Sequence, residues 1–279
     1  MRFVQSCAAK INLSLRVTSV RSNGYHNIMS LFLRLPSAEA LLISKAEGED
    51  RVYVRGMEIE GENIVARALR HARSAGFDVP FLDVEVLKTL PPGSGLGAGS
   101  GDGAAVLRWL AGGESGHVWR DVALKTGADV PFLFSGFPLA RVSGIGEELE
   151  PLDPLSLHVL VALPEWSVET ENAYGRLDLC YGGFYPLNEE AAREEADLLH
   201  RRLKSGEDVG FLPNDFVPAL MDQFPGYIRL FNLFKSAGSH AWGITGSGGA
   251  AFALFRKTPC PLSISWPQWI RQVAAFDAG

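Results

Sequence analysis

Cysteine is scarce in this chain of 279 residues, which contains only Cys7, Cys180 and Cys260. Three thiols far apart in the sequence form neither a disulfide framework nor a Cys-x-x-Cys metal site, so a reducing cytoplasm is the expected location. Long apolar runs are also absent, since no segment reaches the ~18 apolar residues of a membrane helix. Lys10 interrupts the one apolar stretch near the N-terminus, which argues against a signal peptide.

An excess of basic residues is missing too. The formal net charge is -6 and the pI is near 5.6, whereas proteins that bind the nucleic-acid backbone usually carry clustered positive charge. These values argue against a nucleic-acid partner and leave a small anionic ligand possible. The hydrophobic content of 47% is sufficient for a large core, in one domain or two.

The hydrophobic pattern predicts strands and helices in an irregular order, which favours an α+β fold over a regular βαβ array. Asn63 is the predicted N-cap of one helix and Gly76 its end. We expect another helix at 119–125 and a charged one at 188–203. The strands are predicted at 3–17, 31–35, 40–44, 52–54, 82–86, 139–142 and 158–163, with two more within 243–255, and the early ones form an antiparallel meander. The proline-rich segment 151–157 predicts a boundary between domains 1–152 and 153–279.

The stretch 90–110, LPPGSGLGAGSGDGAAVLRWL, places six glycines and two serines before an apolar helix. Glycines let successive backbone N–H groups converge on an anion, and a helix N-terminus opening near Asp102 adds its positive dipole. No Gly-Lys-Ser/Thr follows, so the stretch is not a Walker A loop. It indicates a phosphate-binding loop, with an ordinary flexible loop as the alternative.

Several polar residues are candidates for chemistry. Asp129, in GADVPF, is a carboxylate in an apolar setting, where it serves either as half of an ion pair or as a cap. Lys10 is the candidate cation, and such a pair could orient a hydroxyl and neutralise a phosphoryl group. Tyr25 and His26 follow the Asn-Gly turn and could hold a planar ligand. Ser247 lies in a glycine cluster that forms either a second anion-facing turn or an ordinary hairpin.

Six motifs, in order, carry a resemblance to a known family. The chain resembles the GHMP kinase superfamily and, within it, the 4-diphosphocytidyl-2-C-methyl-D-erythritol kinases of non-mevalonate isoprenoid (terpenoid) biosynthesis. The motifs are AAKINLSL at 8–15, SNGYHNIMSLF at 22–32, LPPGSGLGAGS at 90–100, GADVPF at 127–132, SGIGEEL at 143–149 and GITGSGGAAFAL at 243–254.

The resemblance implies an enzyme that uses ATP, with Mg²⁺ expected, to phosphorylate the 2-hydroxyl of 4-diphosphocytidyl-2-C-methyl-D-erythritol. It implies an N-terminal ATP-binding domain like ribosomal protein S5 domain 2 and a C-terminal ferredoxin-like α/β sandwich. The implied catalytic pair is Lys10 and Asp129. The implied substrate residues are Asn12 near the phosphoryl group, Tyr25, His26 and Tyr174 around cytosine, and Ser247 and Gly248. The implied nucleotide residues are Asn63, Lys88 at the adenine, Pro92, Gly93, Gly95, Leu96, Gly97, Ala98, Gly99, Ser100, Gly101 and Asp102.

One departure lies within the loop, because the family usually has Gly-Ser-Ser-Asn-Ala where this chain reads Gly-Ser-Gly-Asp-Gly at 99–103. A bare carboxylate beside ATP would repel it, so we expect Asp102 to cap the helix facing away or to share Mg²⁺ with the phosphates. The departure keeps open the alternative of a nucleotide-binding homologue with impaired catalysis. A GHMP kinase for another small alcohol is a second alternative, against which Tyr25, His26 and Tyr174 argue. The chain ends soon after Trp269, so we expect the last strand to be short or missing.

Overall fold

The chain forms two compact units in the computed structural model, which describes residues 1–58 and 61–278. The first unit consists of Met1–Lys10, Arg34–Pro92 and Gly97–Phe137, and the second of Ile11–Leu33, Gly93–Leu96 and Pro138–Gly279. A domain boundary at residue 152 stays a prediction.

The secondary structure mixes strands and helices, as the α+β prediction requires. The strands are β1 (Arg2–Val20), β2 (His26–Lys45), β3 (Arg51–Arg55), β4 (Leu82–Leu87), β5 (Leu139–Gly144), β6 (Glu148–Pro151), β7 (Leu157–Pro164), β8 (Gly210–Phe211), β9 (Ala241–Thr245), β10 (Ala250–Phe255) and β11 (Ile270–Ala278). The helices are α1 (Ile64–Ser74), α2 (Ala98–Ala111), α3 (His117–Thr126), α4 (Val130–Ser135), α5 (Thr170–Tyr181), α6 (Glu189–Lys204), α7 (Val217–Met221) and α8 (Gly226–Ser236), with a 3-10 turn at Pro261–Ser263.

In the first unit, β4 pairs with β2 on one side and β3 on the other. Leu82, Val84 and Val86 are buried along β4 while the residues between them are partly exposed, which is the alternation of a strand with one covered face. β4 is antiparallel to β2 but parallel to β3. The predicted antiparallel meander is therefore wrong at β3, because the helix between β3 and β4 returns the chain in the same direction.

Helices α1 to α4 pack against one another in the first unit. The predicted cap of α1 is confirmed, since Asn63 Oδ1 accepts the N–H of Val65 at 2.8 Å. Helix α2 begins directly after Gly97, whose φ of 62° places it in the left-handed region. The first turn of α2 is therefore formed by the residues that follow Gly97, beginning with Ala98.

The second unit contains a sheet in the order β11-β7-β10-β9-β8, antiparallel except between β8 and β9. Strands β7 and β10 form its buried centre, as continuous apolar runs predict. The expectation of a short or missing last strand is wrong, because β11 pairs with β7 from Ile270 to Ala278. None of the helices in the part of the chain that the structure describes is long and apolar enough to cross a membrane.

Candidate active site

The predicted pair of Lys10 and Asp129 is present in the first unit. Lys10 lies on β1, and its Nζ is 3.5 Å from Asp129 Oδ2, with the two side chains 5% and 27% exposed. Asp129 occupies the N-cap position of α4, yet its side chain makes no capping hydrogen bond. The cap alternative for this carboxylate is therefore wrong, and the ion-pair interpretation is the one that the geometry supports.

The glycine loop runs directly against this pair. A Cβ atom on Gly97 would lie 3.1 Å from Asp129 Oδ2 and 3.2 Å from Lys10 Cε, so the loop backbone contacts both side chains. Helix α2 begins at the next residue, and its first N–H groups lack partners within the helix. A lysine ammonium and a helix N-terminus together favour an anion such as a phosphate.

Asp102 does not stand at the opening of α2. The helix begins at Ala98, so Asp102 lies in its second turn, with a buried side chain whose Oδ2 accepts a hydrogen bond from Lys88 Nζ at 3.0 Å. The expectation that Asp102 caps the helix is wrong, because the left-handed Gly97 ends the loop earlier than the sequence indicated. A metal-linked role for Asp102 stays a prediction.

Gly101 has a packing reason to lack a side chain. A Cβ atom there would lie 1.9 Å from the carbonyl oxygen of Ala8 on β1, closer than any real contact. The serine that the family usually has next to Ser100 therefore has no room in this backbone arrangement. This departure from the family motif accompanies close packing of α2 on β1.

The family resemblance implies that Lys88 and Asn63 lie on the nucleotide side of the site. The Lys88 ammonium is buried between Glu39 and Asp102. Burial opposes its charge, but the two carboxylates raise the pKa of Lys88 above its usual value. Burial also raises the pKa of Asp102 to about 7, with Lys88 opposing that shift and Glu39 adding to it. Contacts of Lys88 and Asn63 with the nucleotide stay predictions.

The loop from Gly93 to Leu96 lies in the second unit, where it packs against the turn between β9 and β10. A Cβ atom on Gly95 would lie 2.3 Å from the carbonyl oxygen of Thr245, and one on Gly249 would lie 1.9 Å from that of Gly93. These glycines permit contact of backbone with backbone. The hairpin prediction for this cluster is confirmed, since β9 and β10 pair antiparallel on either side of it.

Asn12 is held by this same turn. Its backbone N–H donates to Thr245 Oγ1 at 3.1 Å, and its Oδ1 accepts the N–H of Gly246 at 2.9 Å. Its amide nitrogen donates to Ser30 Oγ at 3.0 Å. The sequence analysis missed Thr245, and the signal available was a buried hydroxyl immediately before a glycine cluster.

His26 and Tyr174 come together in the second unit, and a sandwich of cytosine between Tyr25 and Tyr174 stays a prediction. Their rings stack with centroids 4.4 Å apart, and His26 Nε2 lies 2.8 Å from Asp178 Oδ1. Tyr25 is 59% exposed. The sequence analysis missed Asp178, although a position four residues after Tyr174 on a helix lies on the same face. The Tyr185 hydroxyl donates to Asp178 Oδ1 at 2.6 Å and completes a polar network behind the imidazole.

Ser247 and Gly248 occupy the turn after Thr245. Ser247 is buried, and its hydroxyl lies 3.4 Å from that of Thr170. Gly248 has a φ of +108°, and a Cβ atom there would lie 2.1 Å from a methyl group of Leu220. The remaining predicted loop residues divide between the units: Pro92, Ala98, Gly99 and Ser100 belong to the first, and Leu96 belongs to the second.

The comparisons with known proteins point to one family. The family model "GHMP kinases N terminal domain" matches residues 63–136. The chain is 31% identical over 259 residues to a 4-diphosphocytidyl-2-C-methyl-D-erythritol kinase of Chlorobium limicola, which covers 89% of this chain and 87% of the relative. A protein of the same name from Porphyromonas gingivalis is 32% identical, over 90% of this chain and 91% of the relative. The chain belongs to the 4-diphosphocytidyl-2-C-methyl-D-erythritol kinase family.

Solved structures agree with this assignment to the family. A crystal structure of a 4-(cytidine 5'-diphospho)-2C-methyl-D-erythritol kinase matches with a TM-score of 0.77 and 26% identity, over 100% of both chains. A homoserine kinase from Cytophaga hutchinsonii matches with a TM-score of 0.63 and 17% identity, over 100% of this chain and 94% of that one. The second match shows the fold alone, and the fold is that of the GHMP kinases.

Proposed function

We propose that this protein transfers the γ-phosphoryl group of ATP to the 2-hydroxyl of 4-diphosphocytidyl-2-C-methyl-D-erythritol, in the non-mevalonate synthesis of isoprenoid precursors. The observation that carries the proposal is the Lys10–Asp129 pair beside Gly97 at the N-terminal end of α2, in a chain that belongs to this kinase family. The expected cellular location is the cytoplasm, and the expected binding partners are these two small molecules.

Asp129 is the group that would hold the acceptor hydroxyl and take up its proton. Its carboxylate is partly exposed, so a hydroxyl could reach it, and the Lys10 ammonium lies 3.5 Å away. The lysine ammonium would neutralise charge on the transferring phosphoryl group. No covalent intermediate is needed, because phosphoryl transfer depends on positioning and charge neutralisation.

The glycine loop would bind the ATP phosphates with its backbone N–H groups. Mg²⁺ would supply additional neutralisation of the phosphate charge. No group of three or more His, Cys, Asp or Glu side chains suited to a metal ion exists within residues 1–58 and 61–278. Asp129 and Ser100 are polar side chains close to the start of α2 that could contact such an ion.

The cytidine end of the substrate would lie against Tyr25, His26 and Tyr174. Stacking on aromatic rings and hydrogen bonds at the base edge suit a pyrimidine. Asn12, Ser247 and Gly248 would border the methylerythritol part, with Asn12 held by Thr245 and Gly246. These roles favour a cytidine substrate over the acceptor alcohols of other GHMP kinases.

A coupled assay of ADP release tests the proposal. The purified protein is given ATP and Mg²⁺ with 4-diphosphocytidyl-2-C-methyl-D-erythritol, mevalonate or homoserine, each in turn. We expect turnover with the cytidine compound alone. Turnover with mevalonate or homoserine instead would support a kinase for another alcohol, and nucleotide binding without any turnover would support the impaired homologue.

A further inference from the structure

Three charged side chains form a buried cluster where β4 ends and the glycine loop begins. Lys88 Nζ contacts Glu39 and lies 3.0 Å from Asp102 Oδ2. The side chains of Glu39, Lys88 and Asp102 are 1%, 2% and 3% exposed. Such burial of charge is rare in proteins and requires mutual pairing. We refer to these residues as the Glu39–Lys88–Asp102 cluster.

The cluster is connected to both ends of the loop. Glu39 Oε1 accepts the backbone N–H groups of Thr89 and Leu90, each at 2.8 Å, and these residues open the loop. Asp102 belongs to the second turn of α2, the helix that follows the loop. Lys88 bridges the two carboxylates, so one ammonium joins the segment before the loop to the helix after it.

The charges of the cluster restrict what Lys88 can do. Two carboxylates face one ammonium in this cluster. If Lys88 moved away to contact a ligand, Glu39 and Asp102 would remain buried and unpaired. Breaking a buried ion pair in this way is strongly destabilising. A nucleotide contact made by this ammonium would have to exceed that cost.

We propose that Glu39, Lys88 and Asp102 are positioning residues that fix the two ends of the phosphate loop, and that Lys88 acts through the loop rather than on the adenine base. This inference rests on the proposed function, because it takes the loop to bind ATP phosphates. It replaces the direct adenine contact that the family resemblance implied for Lys88. It also gives the carboxylate of Asp102 a purpose that keeps it away from the phosphates.

The test compares Lys88→Met with the double variant Lys88→Met/Asp102→Asn. The single variant leaves two buried carboxylates facing each other, so we expect KM to rise about tenfold for ATP and for GTP alike, with a smaller change in kcat. The double variant removes one of those charges and should regain part of the lost affinity, because it relieves the repulsion between the carboxylates while the Lys88 bridge stays absent. Calorimetric titration with ATP, without the acceptor, measures the same effect independently of turnover.

Asp50→Asn is the matched control. Asp50 pairs with Arg73 and accepts the N–H of Leu82 at 3.0 Å, so it is a similar carboxylate at the opposite end of β4. Its variant should lower the melting temperature and leave KM for ATP unchanged. An effect on nucleotide binding as large as that of Lys88→Met would reduce the cluster to a general stabilising element and overturn the proposal.

Two other outcomes contradict the proposal. Lys88→Met could weaken ATP but not GTP, or the double variant could bind ATP no better than the single one; either result would assign Lys88 to the base. If Lys88→Met does not fold, Asp102→Asn decides alone: ATP binding about threefold or more weaker than wild type is expected, because Lys88 loses its charged partner on α2, and unchanged or tighter binding would overturn the proposal. A wild-type protein that binds ATP but does not phosphorylate the cytidine substrate would refute the proposed function only.

Discussion

Replacing Asp129 by asparagine tests the centre of the proposed mechanism. The side chain keeps its size and loses its charge. Asp129 is 27% exposed, makes no capping hydrogen bond and lies 3.5 Å from Lys10, so we expect a loss of ~1 kcal/mol or less in the free energy of unfolding. The expected loss in kcat is about 10²-fold or more, because general-base catalysis typically contributes 10² to 10⁴. On the transition-state scale this is at least about 2.7 kcal/mol.

The assay is ADP release at saturating ATP and cytidine substrate, with thermal unfolding measured on the same preparations. ATP affinity should be unchanged or higher, because the substitution removes a negative charge near the phosphates. Asp121→Asn, at an exposed position on α3, is the control and should match wild type in both measurements. A kcat for Asp129→Asn within threefold of wild type would remove this carboxylate from the chemistry, and a large loss of stability would make its role structural.

Three further predictions concern other parts of the proposed site. Tyr25→Ala should raise KM for the cytidine substrate several-fold and leave kcat unchanged, since an exposed stacking ring contributes to binding; an unchanged KM would place cytosine elsewhere. Gly101→Ser should lower the melting temperature and weaken ATP binding, because its Cβ would lie 1.9 Å from a carbonyl oxygen of β1; wild-type stability would show that α2 can move away. Burial raises the pKa of Asp102 to about 7 from its usual 3.8, so folding favours the protonated acid. Stability, measured by urea unfolding, should therefore fall as pH rises from 4 to 7 in wild type and fall less in Asp102→Asn. Equal pH dependence of the two proteins would refute this prediction.

The residues that the sequence analysis identified correctly are those whose local pattern determines their structure. Asn63 precedes an apolar helical pattern, and it caps α1 as predicted. The buried runs of β7 and β10 are apolar throughout, which is typical of central strands. Lys10 and Asp129 could be identified as candidates because each lies in a recognisable motif. Predicting their contact required the family resemblance, and observing it required the structure, because the two residues are far apart in sequence.

The features that the sequence analysis missed depend on contacts between distant segments. Glu39 lies on β2 without any motif, and only the pairing of β2 with β4 brings it to Lys88. Asp178 and Thr245 likewise show their partners only after folding. Asp102 was misplaced for a different reason, since glycine-rich sequence does not show which residue adopts the left-handed conformation that begins the helix.

The glycines of this chain therefore have two separable purposes. Gly97 lies against the side chains of Lys10 and Asp129, where any added atom would intrude on the chemistry. Gly95 and Gly101 lie against backbone carbonyl groups of Thr245 and Ala8, where an added atom would push apart segments that hold the loop. Substitutions of the first kind should reduce kcat in a folded protein, whereas those of the second kind should reduce stability and nucleotide affinity together. The glycine-rich loop can therefore hold one defined backbone conformation, because close contacts fix it in place. The buried charges of Glu39, Lys88 and Asp102 contribute to this fixation.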